Sequence, residues 1–120
     1  MQDTNEILAA AKELGEVIHR SPTIQAYLDA CLAVQEDTEL ANMETELQRR
    51  YEELVGRQRK GEALSPYETN AFYKLREKVV YHPLIEAREA ALKAVKAELE
   101  QVGGAISSIL TVDYTAVVNG

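Results

Sequence analysis

The apolar residues of this chain recur at helical spacing along most of its 120 positions. Ile7, Leu14 and Ile18 share one face of an amphipathic helix, because steps of seven and four residues return to the same side. This pattern predicts a first helix from Thr4, acting as its N-cap, to about His19. Similar steps predict four further helices, and no segment before residue 111 alternates with the period of two that a strand requires.

Proline marks the start of three of these helices. Ser21-Pro22, Ser65-Pro66 and His82-Pro83 each join a polar side chain to a proline at the first helical position. The missing N–H of proline costs nothing there, because it would be unpaired in any case. Ser65 is followed three residues later by Glu68, which predicts a capping box. We expect the second helix, which starts at Pro22, to run to about Gln35. The fourth is expected to end before Pro83, because the residue before a proline is disfavoured in helical backbone.

The third and fifth helices are the long ones. Asp37 is expected to cap the third, which Gly61 ends after Lys60. The fifth, over 84–110, would be roughly 40 Å long, whereas a compact domain of this size is about 35 Å across. Its apolar seam of alternating three- and four-residue steps is interrupted by Arg88 and favours a dimer. Gly103-Gly104 is the place where this helix is expected to bend or fray.

One phrase of the sequence occurs twice. Residues 83–95 repeat residues 22–34 at an offset of 61, and the ungapped alignment of 4–34 with 65–95 contains nine identities. Both duplication and convergence explain this helix-proline-helix unit. Either way, the repeated alanines and valines are expected to be packing residues.

The elements together predict an all-α fold, a five-helix elongated bundle with helix-proline-helix units and a long C-terminal helix. We expect one helical domain over residues 1–110 and a separate tail over 111–120. In the tail, Val112, Tyr114 and Val118 lie at even spacing, so a short strand is one expectation and a frayed end is the other.

Composition and charge narrow the function. The net charge of −7 repels phosphate, so we do not expect direct nucleic-acid binding. No apolar run approaches the ~20 residues of a membrane span. The acidic N-terminus is unlike a signal peptide. These features predict a soluble, cytoplasmic protein without membrane contact.

The sequence offers little catalytic or metal-binding chemistry. Glu16 and His19 form one E-x-x-H pair, whereas di-iron bundles use two such pairs. His82 is not preceded by an equivalent glutamate, and Cys31, on an apolar helix face, predicts an inert buried thiol. We therefore predict no enzyme, no catalytic residue, no metal and no cofactor, and a metal-binding helical bundle stays open as an alternative.

A basic stretch within 49–60 is the one local charge feature. It could dock an acidic protein or RNA, and an RNA-binding module is a second alternative function. The competing interpretation is a solvated face balanced by Glu44, Glu46, Glu52 and Glu53. The candidate docking residues are Arg49, Arg50, Arg57, Arg59 and Lys60.

The order of these elements resembles the YlbF/YmcA family over roughly residues 4–110. Shared features are the acidic Glu36-Asp37-Thr38-Glu39 start of a long helix, the Arg59-Lys60-Gly61 stop, and the His-Pro-Leu-Ile start of the last long helix. The family usually has asparagine where this chain has His82, which is therefore interpreted as a helix cap.

The resemblance implies a small bacterial regulator of competence, sporulation and biofilm formation that self-associates and has no known catalytic activity. It also implies a protein partner, in a complex that associates with ribonuclease Y and influences mRNA processing. Some members bind iron–sulfur clusters through cysteines of a C-terminal tail, but residues 111–120 contain none here.

From the seam of the fifth helix and the third helix behind it, we predict a homodimer. Its expected interface residues are Leu92, Val95, Leu99, Val102, Ile106, Leu47, Tyr51 and Leu54.

Overall fold

The computed structural model describes residues 2–120 and contains six α-helices and no strand over that range. The helices are α1 (Gln2–His19), α2 (Pro22–Glu36), α3 (Thr38–Arg59), α4 (Pro66–Val80), α5 (Pro83–Leu110) and α6 (Tyr114–Asn119). The all-α prediction is confirmed, and the predicted count of five helices is wrong because the tail adds a sixth.

Local capping chemistry explains where α3 and α4 begin and end. The Asp37 side chain accepts a hydrogen bond from the backbone N–H of Leu40 at 3.0 Å and so caps α3. The other end of α3 closes at Gly61, whose φ of 80° is strained for any side chain but not for glycine. Ser65 and Glu68 form the predicted capping box at the start of α4. These three predictions are confirmed.

One predicted helix start is wrong. Thr4 lies inside α1 and is not its N-cap, because the helix already includes Gln2. α5 does not fray at Gly103-Gly104 and continues to Leu110, its predicted end, while a bend at these glycines stays a prediction. Gly103 is buried, and a Cβ at this position would lie 3.5 Å from the Thr115 methyl group, which is an ordinary contact distance.

The tail forms a short helix and not the alternating strand. Asp113 accepts a hydrogen bond from the N–H of Ala116 and caps α6, and the N–H of Tyr114 donates to Ser107 Oγ of α5 at 2.9 Å. Hydrogen bonds from Thr115 and from the backbone of Ala116 lower the pKa of Asp113. The link from α5 passes through Thr111, which has a positive φ of 60°.

The chain divides into two compact units. The central unit is Ala30–Glu89, and the terminal unit combines the chain up to Asp29 with Ala90–Gly120. The prediction of a single helical domain over 1–110 stays a prediction. None of the described helices is both long enough and apolar enough to cross a membrane.

The central unit has a continuous hydrophobic core. Leu40 of α3 is fully buried, and it packs with Val34, Val79 and Ile85 from three other helices. Met43, Leu47 and Leu84 surround this cluster. Burial of each large aliphatic side chain stabilises the fold by roughly 1.5–3 kcal/mol. This core holds α3 and α4 together and so positions the surface described below.

The terminal unit buries much less. Val95 is its one buried hydrophobic side chain among the described residues. Ser21, just before α2, donates from its Oγ to the Glu98 carboxylate of α5 at 2.8 Å. The large hydrophobic side chains that this unit exposes on its helices and tail are Ile7, Leu8, Leu14, Val17, Leu28, Leu99, Ile109, Leu110, Val112, Tyr114, Val117 and Val118.

Candidate interaction surfaces

The basic stretch begins with two arginines that share one carboxylate. Arg49 donates to Glu46 at 2.6 Å, and Arg50 donates to the same carboxylate at 2.9 Å. Arg49 also contacts Glu53 at 3.0 Å. Hydrogen bonds from Arg49 and then Arg50 lower the pKa of Glu46 from its ordinary 4.5 to about 2. Both cations therefore carry a counter-ion within one turn of their own helix.

Arg57 is neutralised from outside its helix. It contacts Glu62, in the loop after α3, at 3.0 Å and Glu68 of α4 at 2.9 Å. The hydrogen bond from Arg57, followed by that from the Ser65 backbone, lowers the pKa of Glu68. Glu68 thus serves the capping box and the ion pair together, which fixes the Arg57 side chain between α3 and α4.

Arg59 and Lys60 differ from these three arginines. Both are exposed, and neither takes part in an ion pair between described residues. The four carboxylates that were predicted to balance the stretch have different partners. Glu46 and Glu53 do pair with the stretch, but Glu44 binds Arg88 of α5 at 2.7 Å. Glu52 accepts a hydrogen bond from Gln48 at 3.0 Å. Of the five candidate docking residues, only Arg59 and Lys60 therefore keep a positive charge that no described carboxylate pairs with.

A groove of about 280 Å³ lies between α3 and α4 beside the paired arginines. Its apolar lining comes from Leu54, Ala71 and Phe72, and Tyr67 forms part of its edge. The polar lining consists of Arg49, Arg50 and Arg57 with the carboxylates of Glu53 and Glu68. Because those cations are already paired, the groove offers no free positive charge to an anion.

The predicted interface residues of α5 differ in exposure. Val95 is buried within the chain, whereas Leu92, Val102 and Ile106 are half-buried. Leu99 is 43% exposed and is the most accessible of the five. These positions leave a partly open apolar seam along the second half of α5.

The predicted interface residues of α3 lie in the central unit. Leu47 packs against its core, and Leu54 is half-buried in the groove. Tyr51 is exposed, with its ring 6.3 Å from that of Phe72. Leu47 and Leu54 are thus covered largely by their own chain, and Tyr51 is the accessible member of the three.

The candidate metal and catalytic residues are not brought together. Glu16 and His19 are exposed on α1, and His82 caps α5 by accepting from the N–H of Leu84 at 3.1 Å. Cys31 is half-buried and not disulfide-bonded. Within residues 2–120, no group of three or more His, Cys, Asp or Glu side chains is placed to hold a metal ion.

Two accessible surfaces were not predicted from the sequence. One is the apolar stripe of α1, where Ile7 is 67% exposed although its spacing suggested a buried face. The other is α4, whose Lys74, Arg76 and Lys78 are exposed beside three exposed tyrosines, Tyr67, Tyr73 and Tyr81. Periodicity identifies an apolar face but does not say whether another element covers it.

Comparison with protein families gives one match, to the family described as "Control of competence regulator ComK, YlbF/YmcA", over residues 7–111. Comparison with curated proteins and with solved structures gives no significant match. The match begins inside α1, includes α2 to α5, and ends just before α6.

Proposed function

Because the chain belongs to the YlbF/YmcA family, a regulatory family, we propose that it is a non-enzymatic adaptor that self-associates and binds protein partners. The family description names control of competence. The proposal extends this to a homodimer that uses the long helices, α5 above all, and to a place in ribonuclease-dependent mRNA processing and cell-fate control.

The observation that carries self-association is the open apolar seam of the terminal unit. Leu99, Val102 and Ile106 follow one another at three- and four-residue steps on α5, and none of them is fully buried. Burying apolar area is worth about 25 cal/mol per Å². A second copy that covers this seam supplies the burial that the terminal unit lacks by itself.

Leu99→Asp tests the dimer. A carboxylate on the seam would have to be desolvated in the complex, so we expect the dissociation constant to rise about 100-fold or more. Sedimentation equilibrium with circular dichroism measures assembly and helix content together. Gln101→Asp is the control, because it places the same charge at an exposed position two residues away and should leave the dimer intact. A Leu99→Asp protein that is still a folded dimer rules this seam out.

The partner is proposed to be a protein of a ribonuclease-associated complex. The support is the family membership together with the pairing of Arg49, Arg50 and Arg57, which leaves little free positive charge on the 49–60 stretch for RNA. Affinity purification from native cytosol, with nuclease-treated and untreated arms, tests it. A ribonuclease identified by mass spectrometry in both arms is expected. Loss of all partners after nuclease treatment would instead mean that RNA mediates the association.

A further inference from the structure

The outer surface of α4 carries positive charge without counter-ions. Lys74, Arg76 and Lys78 are exposed and form no ion pair with any other described residue. Of the two carboxylates on this helix, Glu68 is held by Arg57, so Glu77 alone opposes the three cations. On a chain of net charge −7, this is a local reversal of sign.

One side of this surface combines cations with aromatic rings. Tyr67, Lys74, Lys78 and Tyr81 are separated by seven, four and three residues, which places them along one flank of α4. Tyr67 is 83% exposed and Tyr81 is 71% exposed. Exposed tyrosines offer a large, rigid contact area at small entropic cost. We call these four residues the α4 flank.

α1 presents the complementary chemistry. Asp3, Glu6, Glu13 and Glu16 are exposed and unpaired among the described residues, against the single basic side chain of Lys12 before His19. Glu6, Glu13 and Val17 lie along one flank at spacings of seven and four. The exposed side chains of Ile7 and Leu14 border it. We call Glu6, Glu13 and Val17 the α1 flank.

The two flanks occupy the same register of the internal repeat. At the offset of 61, Glu6 corresponds to Tyr67, Glu13 to Lys74 and Val17 to Lys78. The equivalent side of each helix is therefore acidic and aliphatic in α1 but basic and aromatic in α4. The α4 flank is the longer of the two, since residues 67–81 span about 21 Å of helix and residues 6–17 about 17 Å.

We propose that α1 of one copy docks antiparallel on the α4 flank of a second copy of this chain. In the antiparallel register that sets Glu6 opposite Lys78 and Val17 opposite Tyr67, Glu13 lies opposite Ala71, about one helical turn from Lys74 and within reach of its long side chain. The contact deepens the proposed self-association and rests on it, because it adds a second, charge-directed surface to the α5 seam. Every copy carries both flanks, so each can donate α1 and accept on α4.

A second copy fits this surface better than RNA does. The overall charge repels a polyanion, and Glu77 places an exposed negative charge beside these cations on the same helix. α1 of a second copy offers single carboxylates next to aliphatic side chains, and the aliphatic side chains can pack on the tyrosines of the α4 flank. A phosphate backbone has no apolar groups to make that contact. Aromatic and aliphatic packing with flanking ion pairs is the usual composition of a protein interface.

Charge reversal with mixing tests the contact. The α4 variant is Lys74→Glu with Lys78→Glu, and the α1 variant is Glu6→Lys with Glu13→Lys. Each variant alone brings like charges together, so we expect its self-association to weaken at least about tenfold by sedimentation. An equimolar mixture restores opposite charges across the contact and should return to within about threefold of the wild-type dissociation constant.

The matched control moves the same amount of charge elsewhere. Arg59→Glu with Lys60→Glu reverses two unpaired cations at the end of α3, and it should weaken self-association less than threefold. In its mixture with the α1 variant, one of the two contacts of each mixed dimer still brings like charges together, so this mixed dimer should be weaker than that of the α1 and α4 variants. Raising the salt from 0.1 M to 1 M shortens the screening length from about 10 Å to about 3 Å. Wild-type association should therefore weaken as salt rises.

Three results would overturn the proposal: an α4 variant that associates like wild type, a mixture that shows no recovery, or a control that weakens association equally. Wild-type binding of a single-stranded RNA probe that is lost in the α4 variant, without any change in self-association, would assign the flank to RNA instead. Failure here is separable from failure of the proposed function. If Leu99→Asp dissociates the protein but the charge variants do not, the α5 dimer stands and the α1–α4 contact is wrong.

Discussion

The imidazole of His82 faces the carboxylate of Asp37, with Nε2 3.9 Å from Oδ2. Each residue also caps a helix. His82 Nδ1 accepts from the N–H of Leu84 at 3.1 Å, and Asp37 Oδ1 accepts from that of Leu40 at 3.0 Å. Accepting at Nδ1 places the hydrogen of a neutral ring on Nε2, toward Asp37. The caps at the starts of α5 and α3 therefore lie side by side.

The terminal unit contains the counterpart of this contact. Ser21 Oγ donates to Glu98 at 2.8 Å. Ser21 precedes His82 by 61 residues, and Glu98 follows Asp37 by 61, so the same repeat positions meet with the two halves exchanged. Convergence on a good helix start requires no partner at this offset, and the recurrence therefore favours duplication.

The capping role of His82 predicts the effect of two substitutions. His82→Ala removes the acceptor for Leu84 and should lower the free energy of unfolding by about 1 kcal/mol. His82→Asn should cost less than about half of that, because asparagine is a strong N-cap. Urea denaturation at a fixed protein concentration measures both values. Equal losses in the two variants would mean that the ring acts through packing and not as a cap.

The sequence was most informative where structure is set by near neighbours along the chain. Ser65, Asp37 and Gly61 were predictable as helix ends because each acts on backbone groups within four residues. Thr4 was wrongly predicted as a cap, since a preferred capping residue can also lie inside a helix. Both expectations for the tail, a short strand and a frayed end, were wrong, because Asp113 caps a short helix there.

Arg88 gives the second prediction. It interrupts the apolar seam of α5, and the structure pairs it with Glu44 of α3 at 2.7 Å where both are partly buried. The hydrogen bonds that Arg88 donates to the Glu44 carboxylate raise the pKa of Arg88, so the guanidinium stays charged. Glu44→Ala should destabilise the chain by about 1–2 kcal/mol, because it leaves that half-buried charge without its hydrogen-bonded partner and with only the more distant Glu89, 3.8 Å away.

The Arg88 prediction has a built-in control. Glu44→Ala with Arg88→Met removes both charges and fills the seam with an apolar side chain, so it should recover most of the lost stability. A double-mutant cycle from urea denaturation measures the coupling. No recovery in the double variant would mean that Glu44 stabilises α3 by itself.

Charge pairing was only partly predictable. Glu46 precedes Arg49 by three residues and Arg50 by four, and both spacings place the two side chains on the same side of the helix. Glu68, by contrast, reaches Arg57 across the turn at Gly61, and Glu44 reaches Arg88 across 44 positions. Such partners depend on how the helices pack, which periodicity does not specify. The location of the basic stretch and its pairing with Glu46 and Glu53 were therefore predictable, but the pairing of Arg57 with Glu68 was not.

Glu46 predicts a pH dependence. Hydrogen bonds from Arg49 and Arg50 hold its pKa at about 2 in the folded chain, below the ordinary 4.5. A carboxyl group with a lowered folded pKa contributes stability above its unfolded pKa and loses it as pH falls toward the folded value. The melting temperature should thus fall as the pH is lowered from about 5 to about 2. In Glu46→Gln this fall should be shallower.

Solvent exposure limits the size of that effect, so the comparison with a neighbour is the decisive control. Glu52 is exposed on the same helix and accepts only from Gln48. Glu52→Gln should therefore leave the slope of melting temperature against pH unchanged. A Glu46→Gln slope equal to that of wild type would show that the two arginine contacts do not persist in solution.

The last prediction compares two glycines that differ in backbone conformation. Neither Gly104 nor Gly61 would bring an added Cβ within 4 Å of a neighbouring atom, so steric contact is the same at both. Gly104 lies in the interior of α5, where alanine is favoured by about 0.5–1 kcal/mol. Gly61 has a φ of 80°, where a side chain is strained and alanine should cost about 1 kcal/mol. Gly104→Ala should therefore stabilise the chain and Gly61→Ala should destabilise it. Urea denaturation measures both changes, at a protein concentration below the dissociation constant of the proposed dimer. If both changes lower stability, α5 is bent or frayed at Gly104 in solution, because an unbroken helix leaves alanine no penalty there.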